Sequence, residues 1–483
     1  MLPLPRPGAG HVIGDLLRYS LGLSAWKQFG PSRWSLRVNP SSGNLHPTEA
    51  YVLAAAGPGL GETAAVYHYA PDRHALEQRC AFDGPLPGGA DVVCLVALTS
   101  IHWREAWKYG ERAFRYCQHD LGHAIAAIRI AADLAGLRAR MLPEWSHADI
   151  ASVTGIDRDE DYVESEREDA GCLIEVVSPR SSVATPQSSV SRAELLDRVR
   201  AGHWTGRANQ LSEDHVQWTF IDEVAAATRD PGRAQASVHR AVPAYPGVSA
   251  PVYPARLLLQ RRSALALDGR SSIGADGFFA MLSRVMPSNS PPWDALWWDA
   301  RIHLLLFVHR VDQLEPGLYL LSRNPTADDR LKTAARREFV WERITDELPL
   351  VRLARGDCRR LAERVSCDQE IAADGFFSLA MLADFDASLE ELGPSFYRHL
   401  FWESGVVGQV LYLEAEAGGA RGTGIGCFYD DPVHDVLGLT GHAFQSLYHF
   451  TLGMPIEDTR LTTAPGYDWE AQPRFKPSPS PPV

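Results

Sequence analysis

Residues 40–44 read Pro40-Ser41-Ser42-Gly43-Asn44, placing backbone N–H groups, two hydroxyls and one carboxamide within five positions. Donors and acceptors at that spacing suit the edge of a planar heterocycle. The same residue types build surface turns and cap helices, so composition alone leaves both readings open. A second cluster, Arg261-Arg262-Ser263 followed by Asp268, sets two guanidinium groups beside a hydroxyl. Opening a helix, it could grip a phosphate dianion bidentately and add the helix N-terminus to the grip. Otherwise it is a solvated basic dipeptide. Lys108-Tyr109 is a candidate proton-handling pair. Ammonium and phenol both titrate at about 10 when unperturbed, so burial or mutual proximity must lower one before it acts as a base at neutral pH. An exposed lysine beside a packed tyrosine is the structural alternative.

Such groups need elements to position them, and the chain carries a repeated set. FRYCQHDLGHAIAAIRIAADLAGL from Phe114 and YRHLFWESGVVGQVLYLEAEAGGA from Tyr397 align at one constant offset. It pairs Arg115 with Arg398, Asp120 with Glu403, Gly122 with Gly405, Gly136 with Gly419 and Gly155 with Gly438. Each segment predicts a long helix, apolar round most of its circumference and therefore central. On it His123 reads as a core histidine, and Trp293, Trp297 and Trp298 read as core more readily than as a cavity roof. EAYVLAAAG followed by AAVYHYAP, and RIHLLLFVHRV followed by PGLYLLSR, predict two strand pairs. Each half runs helix, strand, strand, helices, long helix, strand. That is an α+β order with a mostly antiparallel sheet. No G-x-G-x-x-G follows a strand and no G-x-x-x-x-G-K-[ST] occurs, which excludes Rossmann and P-loop readings.

At 483 residues the chain exceeds one ordinary core and predicts two domains. The expected division is 1–180, a linker at 181–254, 255–470, and a disordered tail at 471–483. The linker contains the Ser/Pro stretch Ser178–Ser191, the Pro-rich stretch Ala241–Pro254, and short helices at Ala193–Val199 and Val216–Ala227. A net charge of −13 argues against nucleic acid or an anionic membrane as partner. No apolar run is long enough to span a bilayer, and Met1–Arg6 lacks the apolar stretch of a secretory signal, so the expected location is cytoplasmic. Seven widely spaced cysteines predict buried free thiols, and no His or Cys cluster asks for a metal.

The run from Pro40 to Val52, P-S-S-G-N-L-H-P-T-E-A-Y-V, resembles the flavin-loop signature of the nitroreductase superfamily in its SagB-type, azoline dehydrogenase branch. Lys108-Tyr109-Gly110-Glu111-Arg112-Ala113-Phe114-Arg115-Tyr116, with Gly122-His123, is similar to a second run of that branch. Gly424-Ile425-Gly426-Cys427-Phe428-Tyr429-Asp430-Asp431 resembles the segment whose backbone lies by the flavin N5. The resemblance touches most of both halves, leaving out linker and tail.

It implies two tandem nitroreductase-like halves packed as an intrachain pseudo-dimer and binding FMN. The implied cofactor-binding residues are Pro40, Ser41, Ser42, Gly43 and Asn44 on the ring, with Gly424, Gly426 and Cys427. Arg261, Arg262 and Ser263 fall to the phosphate, as does Arg460, which matches a late basic position. It also implies that Lys108 and Tyr109 remove a substrate proton as hydride passes to the flavin. In the superfamily the phosphate grip and the ring loop come from different subunits. Here the second half carries the grip and the first the loop. The converse site lacks a grip before Leu16 and has Pro291-Pro292-Trp293 where the loop would fall, so one FMN per chain is expected, in a monomer or homodimer. The implied activity is a two-electron dehydrogenase acting on a peptide-derived or other natural-product intermediate, with NAD(P)H or O2 as redox partner. The alternatives are an NAD(P)H-dependent reductase of nitro, quinone or enone compounds, and a catalytically degenerate flavin-binding or scaffold protein.

Overall fold

The computed structural model describes residues 1–87, 91–178, 190–233 and 252–470. The Ser/Pro linker and the stretch Ala241–Pro254 lie almost entirely outside the described residues, and the tail expectation lies wholly outside them.

Two antiparallel sheets form the α+β frame. In the first the strand order is Leu2–Pro3, Ala75–Phe82, Ala64–Ala70, Thr48–Ala54, Val92–Ser100, Asp169–Val177, Arg138–Met141. In the second it is Glu342–Arg343, Leu350–Arg355, Gly317–Leu321, Ile302–Val308, Phe377–Asp384, Phe444–Gly453, Arg421–Ile425. From Ala75–Phe82 and Leu350–Arg355 onward the two orders correspond strand for strand, always antiparallel. Both predicted strand pairs are present. Residues Thr48–Ala54 and Ile302–Val308 are buried throughout, because helices cover both faces of these central strands.

The two repeated helices span Ala113–Leu134 and Phe396–Ala417, each 22 residues long. They cross at glycine. A Cβ on Gly122 would stand 2.2 Å from the Trp402 carbonyl oxygen, and one on Gly405 would stand 2.3 Å from that of His119. The contacts are reciprocal at equivalent positions, the signature of a two-fold relation, here inside one chain. The duplication extends to helix ends. Helices His147–Thr154 and Asp430–Leu437 stop at Gly155 and Gly438, left-handed at φ 77° and 76°.

A third sheet was not anticipated. The hairpin Leu23–Phe29 and Ser32–Arg37 is joined by Thr462–Pro465, so the chain after Gly453 leaves the second sheet and crosses to the first half. The Tyr467 hydroxyl accepts from the Leu23 N–H at 3.0 Å and donates to the Pro71 carbonyl at 2.6 Å, and Glu470 pairs with buried Arg18. The linker helices form at Arg192–Arg200 and Thr219–Ala227. The second starts later than expected because Trp218 is non-helical (φ −109°, ψ 84°). No helix among the described residues is long and apolar enough to cross a membrane.

Candidate active site between the two halves

A cavity of about 510 Å³ opens where the halves meet, within the usual range for a cofactor or small-molecule site. Its wall includes Pro40–Asn44 and Tyr109 from the first half. Arg261–Ser263, Gly424, Gly426 and Cys427 come from the second. Lys108 and Arg460 are not on that wall.

The loop at 40–44 owes its shape to backbone that only certain residues tolerate. Gly43, Asn44 and His46 all have positive φ, at 57°, 60° and 53°, a conformation open to glycine and comparatively accessible to Asn and His. Much of the polar equipment holds the loop itself. The Asn44 amide donates to the Ser35 carbonyl at 2.9 Å and its oxygen meets His46 Nε2 at 3.0 Å; the Ser41 hydroxyl accepts the His46 N–H at 2.8 Å. Ser42 donates both its N–H and its hydroxyl to Asp120. Asn39, which sequence reasoning passed over, is 2% exposed, lines the cavity, and has no hydrogen-bond partner for its side-chain oxygen. A buried orphan acceptor facing a cavity calls for a donor from a ligand or water.

The far end of the cavity is cationic. Arg261 is 4% exposed and donates to the carbonyls of Val38 and Arg37, while Arg262 donates to Ser24, Leu259 and Arg261 oxygens. These acceptors are all neutral. Burial and the adjacent Arg261 push Arg262 down to about 10. Lys27 and Arg421 join them on the wall, and burial, then Arg262, holds Lys27 below its ordinary value. Arg261 and Arg262, whose hydrogen-bond acceptors are neutral, crowd with Lys27 and favour an anion, with Glu416 and Glu457 offsetting part of the charge through Arg421. The expected helix start does not occur here: Arg261 caps the C-terminus of helix Ala255–Gln260. Any anion is therefore held by side chains and not by a helix N-terminus. Arg460 is corrected as well. It pairs with Asp458 at 2.8 Å and is 72% exposed. Arg421, on the last strand of the second sheet and paired with Glu457 at 2.6 Å, occupies the cavity wall instead.

Tyr109 packs edge-on against Tyr116 with ring centroids 4.9 Å apart, and its hydroxyl occupies the space a Gly43 side chain would need. Lys108 is exposed, with Nζ 5.0 Å from the Tyr109 ring centroid. The two neighbours therefore differ: the phenol faces the cavity and the ammonium faces solvent. His123, also on the wall, meets Gln409 and Tyr448 at 3.3 Å, and burial pulls it down to about 3, so it is a neutral imidazole. Close packing also explains the glycines opposite. A Cβ on Gly424 would meet the Tyr448 hydroxyl at 1.9 Å, and one on Gly426 would meet the Tyr116 ring at 2.5 Å.

Behind the loop lie two buried carboxyls that sequence reasoning did not single out as functional. Asp120 lines the cavity, and Glu105 is fully buried with both oxygens unpartnered. Burial pushes both upward, and the Asp120 charge raises Glu105 further, against partial relief from Lys108. A carboxyl raised on folding contributes stability that is whole below the ordinary carboxylate range and is lost as pH climbs toward the raised value. The protein is expected to lose stability by roughly 1.4 kcal/mol per pH unit per such group above that range. Glu105→Gln, which mimics the protonated acid, should flatten the loss and be the more stable form at pH 8. Urea midpoints at pH 5 and 8 check this; parallel pH dependence in the two proteins would show that Glu105 is not held neutral.

The equivalent place in the other orientation is filled. Glu403, the counterpart of Asp120, is 1% exposed and accepts from Trp298 Nε1 at 3.0 Å and from the Arg301 and Ile302 N–H groups. It also pairs with fully buried Arg323, whose guanidinium lies 4.7 Å from the Trp293 ring centroid. Where the first half keeps a serine loop and open space, the second half has an aromatic and an internal ion pair.

No protein-family model matches this sequence, and no curated protein does. Among solved structures, a candidate nitroreductase from Anabaena variabilis superposes with a TM-score of 0.67 at 21% identity, over 92% of this chain and 88% of its own. A candidate nitroreductase from Ralstonia eutropha matches 45% of this chain and 89% of its own at 14% identity and a TM-score of 0.31. The E. coli microcin synthetase McbBCD complex with truncated pro-MccB17 matches 35% and 63% at 20% identity and 0.28. The first match, nearly end to end, speaks for the fold.

Proposed function

We infer that this chain, whose fold is that of two tandem nitroreductase-like halves packed as an intrachain pseudo-dimer, is an FMN-dependent oxidoreductase with one flavin site between its halves. The observation that carries the reading is the meeting of Pro40–Asn44 with Arg261–Ser263 and Gly424–Cys427 around one cavity. The residues fit the group. Arg261, Arg262 and Lys27, with Arg421 beside them on Glu457, form a basic end that suits a phosphate. Asn39 offers an unpaired acceptor for a ring N–H, and Gly424 and Gly426 line the cavity as side-chain-free backbone packed against Tyr448 and Tyr116. FMN, when bound, would supply two-electron hydride chemistry, with the protein supplying position and protons.

The finer reading is a dehydrogenase of a peptide-derived or other natural-product intermediate. It rests on the likeness of residues 40–52 and 108–116 to the azoline dehydrogenase branch. On it Tyr109 holds or takes a proton at its hydroxyl, and Lys108 steadies the phenolate charge from the solvent side, 5.0 Å from the ring centroid.

Purified protein is expected to be yellow with a flavin-to-chain ratio near one. Arg262→Ala should lower flavin affinity roughly 10-fold to 100-fold, the range for one lost charge-assisted phosphate contact of about 1.5–3 kcal/mol. Equilibrium dialysis of the stripped protein against FMN measures both. A ratio near two would mean the filled counterpart also binds, and no binding at micromolar FMN would overturn the assignment.

A further inference from the structure

Five of the seven cysteines are buried; the two that are not, Cys367 and Cys427, meet each other. The Gln369 amide reaches both the Ser366 and the Cys427 carbonyls, which sets the two cysteines side by side although sixty positions separate them in sequence. Cys427 is exposed and forms part of the cavity wall, and Cys367 is half-buried beside it. Cys427 shares that wall with Tyr116.

The local backbone holds this meeting in place. Cys367 and Asp368 are consecutive non-glycine residues at φ 58° and 56°, a left-handed pair that local preference disfavours by roughly 1–2 kcal/mol per residue. Tertiary contacts must support it. They do: the Gln369 amide donates to the Ser366 carbonyl at 2.8 Å and to the Cys427 carbonyl at 3.1 Å, and the Tyr429 hydroxyl donates to Asp368 at 3.3 Å. Two side chains therefore stitch the 366–369 turn to the 427–429 segment, one on each flank of the thiols. Arg112 donates to the Gly426 carbonyl at 3.1 Å, which places a cation beside the same segment.

We propose that Cys367 and Cys427 form a redox-active dithiol at the lip of the cavity, which closes into an intrachain disulfide by exchange with a small thiol-derived disulfide such as oxidised glutathione. The exposed Cys427 thiolate attacks one sulfur of the external disulfide, forming a mixed disulfide and expelling one small thiolate. Cys367 sulfur then attacks Cys427 sulfur, closing the intrachain bond and expelling the second small thiolate. Two protein thiols are oxidised, one external disulfide is reduced, and the two thiol protons end on the departing thiolates. The order follows from exposure, and from Cys367 being pushed up to about 12 by burial and by Cys427, which makes it the slower, resolving partner. Closure would tie the glycine-rich wall Gly424–Cys427 to the 366–369 turn and so couple access to the cavity with thiol redox state. The thiol chemistry does not depend on what the cavity binds.

The test uses the intact chain and oxidised glutathione. Native thiol titration should count two reactive groups before treatment and none after. Peptide mass analysis under non-reducing conditions should find the Cys367 and Cys427 peptides joined, and dithiothreitol should restore both thiols. Cys367→Ser should instead trap the mixed disulfide on Cys427, and Cys427→Ser should react far more slowly. Glutathione retained on both cysteines of the wild-type chain, or two thiols surviving treatment, would overturn the proposal.

Discussion

Gly122→Ala is expected to destabilise this protein by on the order of 4 kcal/mol or more, although the same change in an ordinary helix stabilises by about 1 kcal/mol. The reason is the crossing of the two central helices. The new methyl would stand 2.2 Å from the Trp402 carbonyl oxygen and 2.8 Å from its carbonyl carbon and Cα. Those atoms are backbone within a buried 22-residue helix, so neither side can give way without moving the helix and the sheets packed on it. Gly405→Ala, facing His119 from the other side at 2.3 Å, should behave alike. Gly136→Ala is the control. It lies at φ 70° with nothing within 4 Å of the added methyl, and should lose only about 1 kcal/mol, the conformational penalty. Urea midpoints of the three variants distinguish the cases. A Gly122→Ala protein as stable as wild type would show that the helices do not approach at that point.

Tyr109→Phe is expected to reduce turnover by roughly 10²–10⁴, the usual contribution of a positioned acid or base, while leaving flavin content and melting temperature close to wild type. The phenol lines the cavity and its ring is fixed edge-on against Tyr116 at 4.9 Å, so removing one oxygen should leave the packing intact. Lys108→Met should have a smaller effect and should shift the pH–rate optimum, since the ammonium is exposed and acts across the phenol ring. Flavin ratio, melting temperature and turnover must be measured on the same preparations. Unchanged turnover per bound flavin in Tyr109→Phe would remove the residue from the chemistry and leave the flavin site as proposed.

The correspondence between the halves was readable because it rests on small residues whose roles are local and steric. Gly122 with Gly405 mark where two backbones touch, and Gly155 with Gly438 end helices in the left-handed region. The constant offset between these pairs carried straight through to helix boundaries. The tight turn at 40–44 was legible for the same reason, since its glycine and asparagine answer to backbone geometry; its part as a ring loop came from the family resemblance.

What failed were inferences about which way a charge faces. Arg460 looked like a phosphate ligand by position, yet Asp458 lies two residues away and captures it. Arg421 and Lys27 were invisible, being single basic residues on strands, brought together only when Thr462–Pro465 pairs with Leu23–Phe29. Arg261 sits at a helix end where a start was expected, a boundary that depends on where the following chain is pulled. The Cys367–Cys427 meeting could not be read from spacing, because a left-handed turn and two side-chain hydrogen bonds make it.

The sequence by itself determined the duplication, the antiparallel α+β order, the central helices and a tight turn at 40–44, because periodicity and glycine placement act over a few residues. The tertiary structure alone decided which cations share a cavity, that Tyr109 faces inward while Lys108 faces out, and that the second half's counterpart is filled by Glu403 and Arg323. Those outcomes depend on contacts between segments hundreds of residues apart, where burial and neighbouring charge, and not local preference, set the direction and the protonation of a side chain.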